Sequence, residues 1–266
     1  MHQAQNYIRT KFLIGDSISS AMIDATTLSS IQKSGLASCL SEDSAAYLYS
    51  AIVSYADAMN GIRGGYYSWA TVKLYYSAFY SLRSILSSDD VCLFYIGTKP
   101  YSIRVEDGGK AKKESGNTHK VIIKMYESSY QYDPIVTQQI DMQNPLAWLA
   151  EKREQCNYKN ARFFEPSIPC YYNKIMSDLS VNVNAYFQDL EFLYAFDKDH
   201  AIIALPTMII KKAIGKYSAR FNMPHEDVHY LSGLFDALGG DYSTVTSEIE
   251  KLGCIESELS TVTPIL

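Results

Sequence analysis

The sequence predicts a mainly α-helical fold, a helical bundle with a small β-hairpin inserted near residues 91–105. Apolar residues recur at steps of three and four in several long segments, which is the spacing of one helix face. Strand-like segments alternate with helices nowhere along the chain, and this argues against a doubly wound α/β fold. Two short β-rich runs on either side of Gly97–Pro100 predict the hairpin.

The N-terminal part is expected to be a weakly patterned lead-in. It contains one short predicted helix, from Ser19 to Lys33, which stops near Ser34–Gly35. A longer helix begins at Ser41–Ser44, where a capping serine is followed by acidic residues, and it ends at Gly61. Gly64–Gly65 supplies the next turn, so we expect two antiparallel helices.

The helix from Tyr66 to about Ser87 has the strongest periodicity in the chain. Aromatic side chains at helical spacing are typical of a core, and we expect one side of this helix to be buried. That side carries Trp69, Val72, Tyr76, Phe79, Tyr80, Arg83 and Leu86. The charge of Arg83 on such a face requires a carboxylate partner inside the bundle or at an interface.

Further helices are predicted after the hairpin. A polar stretch over residues 106–116 is expected to be a mobile loop, and a helix follows from Asn117 to Tyr130. Asn144–Pro145 opens another helix that reaches about Cys156, because proline is tolerated in a first turn. The loop 163–169 carries two prolines and breaks the pattern. Helical pattern then resumes over residues 172–196, 199–221, 224–238 and 242–252.

The length of 266 residues suits one large domain or one domain with an added subdomain. We expect a lead-in over residues 1–40, a bundle over 41–196, and C-terminal helices over 197–266 that complete or extend it. No segment is apolar for long enough to span a membrane, and the start lacks a signal-peptide pattern. A cytoplasmic chain without a membrane partner is therefore expected.

Composition narrows the function classes. Five cysteines, odd in number and without a CxxC pair, disfavour both a disulfide framework and a zinc site. The net charge of −5 argues against nucleic-acid binding through charge alone, although a local basic site stays open. The 22 tyrosines suit half-buried seams and interfaces, where the ring packs and the hydroxyl stays hydrogen-bonded. Because no phosphate loop, GxSxG or HExxH motif is present, we expect no cofactor.

Three segments, in the order that the superfamily uses, resemble HEPN domains. The helix Ser68–Leu86 is similar to their YYxxF-type second helix, and His119–Lys120 begins the next helix. Arg153–Tyr158 resembles the signature "R, polar, x, x, D/N/H, Y" that closes a later helix. The similarity covers roughly residues 42 to 195.

The resemblance implies two kinds of role. Many HEPN domains are metal-independent ribonucleases of toxin or anti-phage systems, in which an Arg-x4-6-His motif from each of two protomers forms one composite site. Others are inactive partners of an effector. Asn157 stands where an active nuclease would carry histidine, and its amide cannot accept a proton at neutral pH. Arg153 and Tyr158 keep the ability to contact phosphate.

His119 is the first alternative proton acceptor. It opens a helix after a basic loop, from which it can face Arg153 across the bundle. Equally, it can cap the helix start or pack on a neighbouring helix. The nearby lysines can draw a polyanion locally or be solvated, and they are Lys110, Lys112, Lys113 and Lys120.

Arg220 and His225 match Arg-x4-His literally. A motif of this length arises by chance in a chain of this composition, and Pro224 indicates a fresh helix start there. We therefore do not assign catalysis to this pair. The basic stripe of the preceding helix is interpreted as a solvated face, and it consists of Lys211, Lys212, Lys216 and Arg220.

Asp197, Asp199 and His200 bring two carboxylates and an imidazole together. Such a set can bind a divalent ion if a remote ligand such as Glu165 joins it. The favoured interpretation is structural, since Asp197 or Asp199 can cap the helix that begins at Ala201. We expect no metal here and keep the ion site as an alternative.

Two functional hypotheses follow. The first is a HEPN-like subunit of a prokaryotic defence or stress-response system of the toxin type, which acts by homo- or hetero-assembly with a co-encoded effector. The second is a metal-independent ribonuclease with RNA as its partner and a divergent composite site. The candidate residues of that site are Arg153, Asn157, Tyr158 and His119.

Overall fold

The computed structural model describes residues 2–14 and 18–253. It is mainly helical with one small antiparallel sheet, which confirms the predicted fold class. The helices are α1 (Gln3–Tyr7), α2 (Ser20–Ala25), α3 (Ser30–Arg63), α4 (Tyr67–Ser88), α5 (Thr118–Ser129), α6 (Pro134–Thr137), α7 (Pro145–Glu154), α8 (Leu179–Gln188), α9 (Ala201–Ser218), α10 (His225–Asp236) and α11 (Ser243–Glu250). Single π-helical turns occupy Ile8–Phe12 and Gln155–Lys159, and 3₁₀ turns occupy Cys170–Tyr172 and Lys251–Gly253.

α3 is one continuous helix where the sequence predicted two. A capping box starts it, because Ser29 Oγ accepts a hydrogen bond from the backbone of Gln32 and the Gln32 side chain accepts one from the backbone of Ser29. The predicted stop at Ser34–Gly35 is wrong. Gly35 lies inside α3, where its missing Cβ leaves room for the ring of Tyr7. The predicted boundary at residue 40 therefore falls within a helix.

α4 lies at the centre of the main core, against α3 and α9. The helix was predicted within one residue at each end. α9 is buried along most of its length, and a hydrogen bond of 2.5 Å between Tyr55 Oη and Thr207 Oγ1 joins it to α3. Residues 201–218 are thus part of the same core as α4. The last part of the predicted C-terminal unit, residues 254–266 with Cys254, lies outside the described residues.

The hairpin is confirmed and forms a three-stranded sheet. β1 (Val91–Ile96) pairs with β2 (Lys99–Arg104), so that Val91 lies opposite Arg104. A third strand, β3 (Lys112–Lys113), pairs with β2 inside the segment that was predicted to be a loop. One face of the sheet covers a second, smaller core with α1 and the start of α3.

The second core holds the N-terminal helix in place. The buried carboxylate of Asp43 accepts hydrogen bonds from the backbone N–H groups of Gln3 and Ala4, at 2.8 and 3.0 Å. Those groups lack partners within α1, so a remote side chain caps the helix. Across residues 2–14 and 18–253, no helix is both long enough and apolar enough to cross a membrane.

Two predictions about individual elements need correction. The predicted helix over residues 172–196 is too long: α8 ends at Gln188, and the Asp189 carboxylate then accepts hydrogen bonds from the backbone of Glu191 and Tyr194 in a turn. The carboxylate partner expected for Arg83 inside the bundle is also absent among the described residues. Its guanidinium lies 3.9 Å from the ring centre of Tyr47 and donates to the Tyr47 hydroxyl.

Candidate functional site

Three helices meet at the side chain of Tyr75. The hydroxyl of Tyr75, from α4, lies 2.9 Å from Nδ1 of His119, from α5. The guanidinium carbon of Arg153, at the end of α7, lies 4.8 Å from the centre of the Tyr75 ring. We name these three residues the Tyr75 cluster. The fold therefore places His119 and Arg153 on the same tyrosine, although they are far apart in the sequence.

Local structure fixes His119 at the start of α5. Asn117 is the N-cap and accepts a hydrogen bond of 3.0 Å from the backbone of Lys120, so the capping role considered for His119 is wrong. The Tyr95 hydroxyl, 2.6 Å from Thr118 Oγ1, ties the first turn to the hairpin. The His119 ring packs on Phe79 at 4.4 Å between centres, so the packing role is met.

Burial and charge set the protonation states of the cluster. Burial and the guanidinium groups of Arg153 and Arg83 lower the pKa of His119, because each disfavours the imidazolium. Burial raises the pKa of Tyr75 to about 12, against the opposing effect of Arg153. At neutral pH the cluster therefore contains a neutral imidazole, a protonated phenol and a guanidinium.

Arg153 has an unused hydrogen-bond donor. Its side chain is 13% exposed, and its buried Nε has no hydrogen-bond partner within the described parts of the chain. An ion pair of 3.7 Å to the neighbouring Glu154 leaves that nitrogen free. Buried donors without partners are uncommon in native proteins, and a planar guanidinium suits phosphate or carboxylate oxygens. Arg153 is therefore the residue of the cluster best prepared to receive an anion.

A π-helical turn follows α7 and changes which residues join Arg153. Asn160 N donates to Gln155 O over 3.3 Å, a five-residue step. Tyr158 follows Arg153 by five residues, and the wider turn places its ring centre 5.8 Å from the guanidinium carbon of Arg153. Asn157 is half-buried, and its side chain forms no hydrogen bond to the cluster within the described structure. Of the two candidates Asn157 and Tyr158, Tyr158 is thus the one whose ring lies beside the guanidinium of Arg153.

Two aromatic side chains, Tyr158 and Tyr76, contact the cluster, and an exposed aromatic pair lies at the start of α4. Trp69, predicted to be core, is 52% exposed and meets Phe163, 48% exposed, at 5.9 Å between ring centres. Tyr158 is 75% exposed, and half-buried Tyr76 lies 5.8 Å from the His119 ring. We name these four residues the aromatic rim. Phe79, which was also predicted to be a core residue of α4, is buried, so the prediction is confirmed at that position.

Glu165 does not act as a metal ligand but caps α4. Its two carboxylate oxygens accept hydrogen bonds from the backbone and the hydroxyl of Ser68, at 2.6 and 2.7 Å. Burial alone would raise the pKa of Glu165, but the hydrogen bonds from Ser68 outweigh it and lower the pKa. The carboxylate is thus committed to the start of α4.

The alternative ion site at residues 197–200 does not assemble either. The Asp199 carboxylate pairs with Lys174 and Lys198 at 2.5 and 3.0 Å. His200 Nδ1 lies 2.8 Å from the Tyr186 hydroxyl. His200 is also the N-cap residue of α9, but its side chain accepts no hydrogen bond from the backbone of the first turn. The predicted cap by Asp197 or Asp199 is therefore wrong. No three metal-ligating side chains come together among residues 2–14 and 18–253.

The basic stripe, on α9 and the turn after it, is paired with three acids and one carbonyl group, although Lys216 and Arg220 also stay partly solvated. Lys216 pairs with Asp89 at 2.9 Å, and Arg220 pairs with Asp90 at 3.0 Å. Lys212 pairs with Asp133, and Lys211 donates to the carbonyl of Phe187. Arg220 borders an open groove of about 720 Å³, but His225 is exposed on α10 and is not among its lining residues.

Sequence reasoning missed Tyr75 as a site residue. The signal was present, because a tyrosine on the buried side of an aromatic helix needs a partner for its hydroxyl. No family model, no curated sequence and no solved structure matches this chain.

Proposed function

We propose that the chain is a HEPN-like subunit of a cytoplasmic defence or stress-response system in a prokaryote, and that it acts by pairing. The aromatic rim is the observation that carries this proposal. Large aromatic side chains grouped on a surface are typical of protein interfaces, where Trp and Tyr are enriched. The partner is a second copy of the chain or a co-encoded effector. Cys39, Cys92, Cys156 and Cys170 form no disulfide with one another, which suits a reducing compartment.

The position of the rim supports pairing as the means of action. Tyr158 contacts Arg153, and Tyr76 contacts His119, so a partner on the rim would cover the Tyr75 cluster. It would also exclude water from the part of the Arg153 side chain that is still exposed, 13% of it. Electrostatic interactions strengthen when water leaves. Assembly would therefore change the affinity of the cluster for an anion.

Trp69→Asp tests the assembly proposal. Aromatic anchors of an interface contribute about 2 kcal/mol or more, so the dimer or complex should weaken by about thirtyfold. Sedimentation velocity of the chain alone, and co-purification from its native cell, measure the effect. Tyr132→Asp is the matched control, because Tyr132 is 93% exposed beyond the other end of α5. A wild-type chain that stays monomeric at micromolar concentration and recovers no partner contradicts the proposal.

RNA cleavage is the second candidate function, favoured by the meeting of His119 and Arg153 on Tyr75. When Nδ1 of His119 donates its proton to the Tyr75 hydroxyl, Nε2 is free to accept one from a ribose 2′-hydroxyl. The 2′-oxygen then attacks the adjacent phosphorus, the 5′-oxygen leaves with a proton from solvent, and a cyclic phosphate remains. Arg153 would stabilise the charge on the phosphate oxygens.

Overexpression tests the cleavage hypothesis. We expect growth arrest with the wild type, relief by His119→Ala and by Arg153→Ala, and cyclic phosphates at the new RNA ends. Removal of one proton-transfer group costs about 10²–10⁴ in rate. Arg162→Ala is the control, since Arg162 is exposed on the adjacent loop. Full toxicity in both cluster variants would rule out this site.

A further inference from the structure

A groove of about 290 Å³ lies between the sheet and α5. Its lining includes the cations Arg104, Lys110, Lys112 and Lys124 together with the carboxylate of Glu114. We name it the basic groove. It is distinct from the Tyr75 cluster, whose residues do not line it, and it lies on a chain whose net charge is −5.

The strand register and the helix period build this concentration of charge. Ser102 lies opposite Lys112 in the β2–β3 pair, and Arg104 follows two residues later on the same face of β2. On α5, Lys120 and Lys124 are one turn apart and both exposed, so they form a stripe that leads away from the groove. Two elements of the fold therefore present cations to one space.

The charges of the basic groove lack the acidic partners that the α9 cations have. Within the described structure, Arg104, Lys110 and Lys124 form no ion pair, whereas Lys212, Lys216 and Arg220 each pair with an aspartate. Lys112 approaches Glu114 only to 3.9 Å. Like charges held together without counter-ions raise the local concentration of anions. This arrangement of cations is suited to bind an anionic ligand.

Glu114 defines the class of anion. Its side chain is 8% exposed and accepts a hydrogen bond of 2.7 Å from Ser102 Oγ, so it is a fixed acceptor among cations. A carboxylate in this place repels a ligand made of phosphates alone, but it accepts hydrogen bonds from hydroxyl groups. A ribonucleotide brings both phosphates and a 2′-hydroxyl.

We propose that the basic groove binds single-stranded RNA, with its cations on the phosphates and Glu114 accepting from a ribose 2′-hydroxyl. The volume is near the lower end for small-ligand sites, about 300 Å³, which limits the groove to a short part of the strand. The stripe from Lys124 to Lys120 continues beyond the groove and supplies contacts for further phosphates. RNA binding here is independent of whether the chain cleaves RNA or pairs through the aromatic rim.

Fluorescence anisotropy with a labelled single-stranded oligouridine tests the proposal. Lys112→Ala/Lys124→Ala should weaken binding at least about tenfold and reduce the slope of log affinity against log salt by about 1.4, because two phosphate contacts are lost. Lys198→Ala/Lys251→Ala is the control: it removes the same charge from exposed lysines outside the groove and should bind like the wild type. Thermal melts establish that both variants are folded.

Several outcomes would overturn the proposal. Equal losses in the groove variant and the control would show an effect of net charge alone. Oligodeoxyuridine bound as tightly as oligouridine would refute the contact between Glu114 and the 2′-hydroxyl. A uridine mononucleotide bound as tightly as the strand would assign the groove to free nucleotides. Binding to vesicles that contain phosphatidylserine, without binding to RNA, would assign it to a membrane surface.

Discussion

The hydrogen bond between Tyr75 and His119 is coupled to which nitrogen of the imidazole carries the proton. If the hydroxyl accepts from Nδ1, Nε2 becomes a proton acceptor; if it donates to Nδ1, Nε2 carries a hydrogen and becomes a donor. Because the pKa of Tyr75 is raised to about 12, the phenol stays protonated and can take either role. The direction of the hydrogen bond to one buried tyrosine is thus linked to whether Nε2 of His119 accepts or donates a hydrogen bond.

The lowered pKa of His119 predicts how the stability of the folded protein depends on pH. The folded state keeps this imidazole neutral, while the unfolded chain takes up a proton near its ordinary pKa of 6.5. The unfolded state then binds more protons, so stability falls as pH drops below about 6.5. His2, whose pKa is also lowered by burial, adds to the wild-type slope.

Thermal melts between about pH 7.5 and pH 5 measure this effect. His119→Gln should melt with a flatter dependence on pH than the wild type, because it removes one of the groups that must stay neutral. His229→Gln is the control, since His229 is exposed on α10. If His119→Gln and the wild type lose stability in parallel, the shift at His119 does not contribute.

At the scale of elements, the start of α4 depends on a contact from a distant loop. Glu165 takes the place of an N-cap side chain by accepting two hydrogen bonds from Ser68. Both Glu165→Ala and Ser68→Ala should lower the free energy of unfolding by about 1–2 kcal/mol, the cost of a lost cap or buried hydrogen bond.

Urea unfolding checks this prediction. The double variant should cost less than the sum of the single variants, because both remove the same interaction. Glu191→Ala, an exposed acid on a turn, serves as the control. Additive losses would mean that the two side chains stabilise the chain independently.

Local signals explain which elements and site residues could be predicted. α4, α5, α7 and the hairpin carry their apolar spacing, caps or turn residues within the segment itself, so the sequence predicted them. The start of α3 could not be predicted, because Gly35 is tolerated there through its contact with Tyr7. Likewise, Glu165 on Ser68 and the exposure of Trp69 depend on tertiary contacts.

The candidate site, like the fold, could be predicted only in part. His119 was singled out by residue type and position, and Arg153 by the resemblance to the HEPN signature; the fold brings both to one tyrosine. The π-helical turn after α7 was not predictable from spacing, since an α-helix would have placed Asn157 rather than Tyr158 beside Arg153.

At the scale of the whole molecule, α9 makes the bundle indivisible. Its buried residues belong to the same core as those of α4, so the segment 41–196 alone would expose a large apolar surface. It would also begin inside α3. We expect this fragment to show no cooperative thermal transition, whereas the whole chain shows one.

Circular dichroism during heating provides the measurement. A separately made segment 197–253, mixed with the fragment, should restore a transition by supplying α9. A fragment 41–196 that melts cooperatively by itself would show that α9 is an addition to a bundle already complete.

The pairing of α4 with α9 also has a consequence for synthesis on the ribosome. α4 leaves the exit tunnel long before α9 is translated, because the whole segment from Asp89 to His200 lies between them. At ordinary elongation rates the delay is on the order of ten seconds. During that time the apolar side of α4 that α9 will cover stays open, and the nascent chain offers chaperones a binding site that the finished protein no longer has.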